Sequence, residues 1–93
     1  MKNRIYKSKK GALELSKVTR LYPAVVVDLH GEVAEMSLEW MELYGEKVKL
    51  VSYVLIFDFT QPSEDMKNRT VLEFETKEEL IATMQEVAQF FQD

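Results

Sequence analysis

His30 is the only histidine among 93 residues, and it stands in the run Asp28-Leu29-His30-Gly31. A carboxylate two residues from an imidazole suits acid–base chemistry: the acid orients the ring, and the ring moves a proton or binds a metal. Each use needs further partners. A metal site would have to recruit Glu32 or Glu35, and one histidine with these carboxylates matches no known ligand spacing. Nucleophilic catalysis would need Ser16 or Ser37 beside the ring, and no spacing joins them. Cysteine is absent, which removes thiolate nucleophiles, zinc–thiolate sites and disulfides. Three glycines do not supply a dinucleotide fingerprint or a phosphate-binding loop. The plainer reading makes His30-Gly31 a two-residue turn between strands, because Gly takes positive φ readily and His tolerates it. We adopt the turn and assign no catalytic residue, metal ligand or cofactor.

Charge offers the next candidate site. The net charge of −4 conceals two unequal parts. Residues 1 to 20 carry seven basic residues against Glu14, a net of +6, and the remaining chain carries −10. Lys2, Arg4, Lys7, Lys9 and Lys10 are placed to meet phosphates, with Tyr6 available to stack on a base. The expectation is therefore a basic N-terminal arm over residues 1–10, free to move, on an acidic body. The competing expectation lays that arm against its own acidic surface.

A chain of this length makes one small domain, 1–93, with a single modest core. At 46% hydrophobic and 30% charged residues it folds rather than staying disordered. The longest apolar run, Tyr53 to Phe57, is far short of the roughly 20 residues of a membrane helix. The opening MKNRIYKSKKG lacks the apolar stretch of a signal peptide, so a soluble, cytoplasmic protein is expected.

The elements follow from periodicity. Residues 77 to 91 read as a helix, with Thr76 and Glu79 as a capping box. Leu80, Ile81, Met84, Val87, Ala88 and Phe91 recur at helical spacing and read as a core stripe. Residues 47 to 59 are β-branched and aromatic, apolar on both alternations, and read as a central strand covered on both sides. Residues 60 to 69, with Pro62, form a long polar connection of the kind that often carries function. Upstream, ALELSKVTRLYPAVVVDL reads as extended chain broken at Pro23.

Residues 32 to 44 admit two readings. As a helix they gather Glu32, Glu35, Glu39 and Glu42 on one face, with Val33, Met36, Trp40 and Tyr44 opposite and Gly45 as cap. As a strand, Ala34, Met36, Leu38 and Trp40 alternate with Glu35, Ser37 and Glu39. Residue propensity favours the helix. The regular spacing of turn signals near 22, 30, 45 and 60 favours strands, and we take that side. The fold class is then α+β: an antiparallel β-meander or roll followed by a C-terminal amphipathic helix. The alternative is a βαββα two-layer arrangement with residues 32–44 helical.

Asp28, Leu29, His30 and Gly31, preceded by the strand-like AVVV, resemble the Asp-Leu-His-Gly signature of Smr (small MutS-related) nuclease domains. The resemblance implies a nuclease or hydrolase with a helix after the motif. It covers about seven residues, and the family's second, glycine-rich motif has no counterpart because Gly45 is the last glycine. In element order alone, the expected meander and terminal helix resemble the pleckstrin-homology-type roll, a likeness of fold that carries no function. Three functions are weighed: a non-enzymatic binding or adaptor module for a protein or small ligand, a nucleic-acid-associated protein using the basic arm, and an Smr-like hydrolase. The first is preferred, with no membrane insertion.

Overall fold

The computed structural model describes residues 4–91, and Lys2 lies outside them. The architecture is α+β. A two-stranded hairpin, β1 (Ile5–Ser8) and β2 (Gly11–Glu14), precedes a four-stranded antiparallel sheet of β3 (Arg20–Leu29), β4 (Glu32–Met36), β5 (Lys49–Asp58) and β6 (Arg69–Phe74). Helix α1 (Leu38–Tyr44) joins β4 to β5, and α2 (Lys77–Gln89) follows β6. The sheet order is β4-β3-β5-β6.

β5 is central, as its double-sided apolar pattern requires. Leu55 and Phe57 are fully buried in the main core, with Leu13 and Leu15 from the N-terminal segment and Leu80 and Val87 from α2. Val54 and Ile56, on the opposite alternation, are buried with Ala24 beneath Tyr22, Val26 and Val71. Each fully buried aliphatic or aromatic side chain contributes about 1.5–3 kcal/mol. Between Val26 and Val27 the register slips, pairing them with Ser52 and Leu50, so Val51 has no partner on β3. Such a bulge bends the strand.

Residues 32 to 44 are divided between the two expected readings. Glu32 to Met36 pair with β3, and ladder pairing overrides their helical propensity. At Ser37 the hydroxyl accepts from Trp40 N–H at 3.1 Å and starts a helix, so the strand expected to run through Leu38 and Trp40 stops there. The four glutamates consequently form no common face: Glu35 meets Arg69, and Glu42 meets Lys77.

Two smaller expectations also change. β3 runs unbroken through Pro23, which pairs with Leu55. The basic segment is, from Ile5 onward, a strand of a hairpin closed at Ser8 and Gly11.

Candidate functional site

The Asp-Leu-His-Gly run is a hairpin turn. His30 and Gly31 both have positive φ, 54° and 91°, as a two-residue turn between twisted strands demands. Asp28 Oδ1 accepts from Gly31 N–H at 2.8 Å, so its carboxylate serves the turn. β4 follows where the Smr resemblance implies a helix. Among the described residues, no three His, Asp or Glu side chains converge as a metal site.

The structure places Tyr6 in the core and Arg4 and Lys9 at opposite ends of α2. The Tyr6 ring stacks on Phe57 at 6.3 Å and meets Phe90 edge-on at 5.8 Å, so it serves the core. Burial, and then the charge of Glu86, push its phenol pKa up. Arg4 lies over the Phe91 ring at 5.8 Å, just beyond the end of α2. Lys9 Nζ donates to the Glu73 carbonyl and lies 4.5 Å from the Phe74 ring, before the start of α2. The thirteen residues of α2 separate those two positions by about 20 Å. Lys7 and Lys10 are exposed, and Lys10 sits in the hairpin turn, its N–H donating to Ser8 Oγ.

An apolar concavity lies between β3 and α2. Leu21, Tyr22, Pro23 and Leu55 form its sheet side, and Met84, Ala88 and Phe91 its helical wall, around a partly open volume of about 270 Å³. The helical wall comes from the stripe expected to be core. On α2, Leu80, Thr83 and Val87 are buried and Phe90 packs on them. Ile81, Met84, Ala88 and Phe91 form a second row one residue along. Met84 is half-buried, Ala88 is exposed, and Ile81 and Phe91 are each 41% exposed. The stripe is wider than the core it covers, and that excess width was the sequence signal for this groove.

The sheet wall is a free strand edge. Phe59 N–H donates to the Asn68 carbonyl at 2.7 Å, which fixes the phase of the ladder. Odd-numbered residues of β5 therefore bond towards β6 and even-numbered ones towards β3. Tyr22 and Ala24, opposite Ile56 and Val54, thus turn their backbone groups to β5, and Leu21 and Pro23 turn theirs outward. β4 covers that outer side only from Val25 onward. Proline is tolerated in β3 because its missing N–H falls on the open side. The edge from Arg20 to Ala24 thereby offers one donor at Leu21 and carbonyls at Leu21 and Pro23.

The 60–69 connection is tied down at its base. Thr60 Oγ1 accepts from Asn68 N–H at 2.7 Å, and Thr19 Oγ1 donates to the Asp58 and Thr60 carbonyls at 3.0 Å. Asp58 Oδ1 accepts from Thr60 N–H at 2.9 Å. The backbone and hydroxyl of Thr60 hold the Asp58 pKa below its ordinary value, helped by Arg69 and Arg20. Met66, near the tip, is 81% exposed.

No helix among the described residues is long and apolar enough to cross a membrane. Comparison of the chain with protein-family models, with curated proteins and with solved structures gives no match, so the groove's reading rests on its own geometry.

Proposed function

We propose that this chain is a soluble, cytoplasmic binding module without catalysis of its own, and that it takes an extended peptide segment in the groove between β3 and α2. The observation that supports this most directly is the junction of an unpaired strand edge, Arg20–Ala24, with an apolar groove beside it. An added strand gains main-chain hydrogen bonds from the edge, and every second side chain drops into the groove. At about 270 Å³ the groove is smaller than the roughly 300–1,000 Å³ usual for pockets that enclose a small molecule. It suits one or two side chains of a longer ligand.

The test is selection of displayed random octapeptides on the folded protein, followed by amide-resolved NMR titration with the peptides recovered. Binding is expected to shift the Leu21 amide and to be lost in Ala88→Trp, which fills the groove from an exposed helical position. Peptides that bind Ala88→Trp unchanged and leave Leu21 unmoved would overturn the reading.

A further inference from the structure

Among the described residues, three stretches of edge in the four-stranded sheet have no partner strand: Arg20–Ala24 of β3, the outer side of β4 and the outer side of β6. The ladder phase decides what each presents. Odd-numbered residues of β5 bond towards β6, so Thr70 and Leu72, opposite Phe57 and Leu55, turn their backbone groups inward. Arg69, Val71 and Glu73 therefore turn theirs outward. The Glu73 carbonyl agrees, since it accepts from Lys9 Nζ and not from a strand. These three residues share one face of β6, and their order Arg, Val, Glu is complementary to its own reverse. From this we infer that β6 pairs antiparallel with β6 of a second copy about Val71, joining two four-stranded sheets into one.

In that register Val71 lies opposite the second copy's Val71, and Arg69 opposite its Glu73, once on each side of the twofold axis. Every one of these is a hydrogen-bonded pair, in which both residues exchange N–H and carbonyl. The side chains fit as well. Within one copy Glu73 is exposed and faces only the apolar Val54 across the ladder. The row Arg20, Asp58, Arg69 alternates in sign, and the second copy's Glu73 continues it. Arg69 engages Glu35 through Nη2 alone, which leaves the rest of its fork for a second carboxylate. Lys9 is no obstacle, because a carbonyl oxygen has two lone pairs and can accept twice. β6 also carries neither the proline nor the bulge that commonly blunts an edge. The other two edges do not complement themselves. β4 turns Val33 and Glu35 outward, so self-pairing about Ala34 sets a glutamate against a valine. In β3, Pro23 has no N–H to give. That β3 edge lies across β5 from β6, so the dimer leaves it and the groove open.

Sedimentation equilibrium of the full chain between about 10 μM and 1 mM, with amide exchange followed by NMR at both limits, tests this. The expected result is a concentration-dependent dimer that protects the Val71 and Glu73 amides and leaves the Leu21 amide unprotected. Glu73→Arg sets arginines opposite one another twice and should weaken the dimer about tenfold or more. Arg69→Glu should do the same, and mixing the two variants should restore association, because each supplies the charge that the other lacks. Circular dichroism checks that both variants fold. Arg69→Glu also loses the Glu35 contact, so if it fails to fold, the exposed Glu73→Arg decides alone. A monomer throughout the concentration range would overturn the inference. So would a dimer that protects Leu21 in place of Val71, or one that Glu73→Arg leaves unchanged.

Discussion

Arg69 and Glu35 stand on the two edge strands of the sheet, β6 and β4, yet the guanidinium Nη2 lies 3.0 and 3.2 Å from the two carboxylate oxygens. Two strands intervene, and in a flat sheet the edges would be about 14 Å apart. The contact is made across the face that carries Tyr22, Ala24, Val26, Val54, Ile56 and Val71. The sheet therefore coils enough for its own edges to shelter a second, smaller core without a covering helix. Burial works against the Arg69 charge, and the hydrogen bonds and charge of Glu35 outweigh it, so the pKa is raised.

This pair is expected to act as a clasp. Glu35→Gln should lower stability by about 1 kcal/mol, the discounted value for a pair that is still partly exposed. A double-mutant cycle with Arg69→Met, followed by urea unfolding, should show positive coupling of similar size. Additive effects would mean that the pair lies on the fold without closing it.

The turn makes a sharper demand on Gly31 than on His30. His30→Ala should cost less than about 1 kcal/mol, because the side chain is exposed and makes no required contact. Gly31→Val should cost about 1–2 kcal/mol more, since a β-branched residue resists φ of 91°. Thermal unfolding of the two variants checks this order. A hydrolase activity abolished by His30→Ala would return the motif to catalysis.

Acid should loosen the base of the 60–69 loop. The Asp58 pKa is depressed in the folded protein, so the unfolded chain takes up its proton first as pH falls. The stabilisation is complete above the ordinary aspartate range near about pH 4 and is lost as pH drops through the lower folded value. Urea unfolding compared at near-neutral and acidic pH should show a larger loss for wild type than for Asp58→Asn. Equal losses would exclude Asp58 as a contributor.

Nucleic acid is the alternative partner that the basic N-terminal segment raises. If residues 2 to 10 bind nucleic acid, neutralising up to five phosphates gives a log K against log salt slope of about −4. Tyr6 packs against Phe57 and Phe90, Arg4 lies at one end of α2 and Lys9 at the other, an arrangement that spreads these groups apart. Anisotropy titration with single-stranded RNA at about 150 mM salt should therefore show no submicromolar binding. Tight, sequence-tolerant binding would place the basic hairpin, and not the groove, at the centre of function.

Local pattern was enough for the elements whose causes are local. The apolar double alternation of residues 47 to 59 specified a central strand, Thr76 with Glu79 specified where α2 begins, and His30-Gly31 specified a turn. Thr76 Oγ1 accepts from Glu79 N–H at 3.2 Å and donates to the Glu79 carboxylate, half of the reciprocal box that the spacing suggests. Residues 32 to 44 were ambiguous because their propensity is helical, and only pairing with β3 could hold the first five extended. The groove was hidden for a related reason. Periodicity identifies an apolar stripe on α2, but how much of that stripe is covered depends on the width of the sheet beneath it. Whether Arg20–Ala24 is paired depends on where β4 stops, and β4 stops where Ser37 caps a helix. These are relations between segments distant in sequence, so tertiary structure alone decided that Met84, Ala88 and Phe91 face a groove while Leu80 and Val87 face the core.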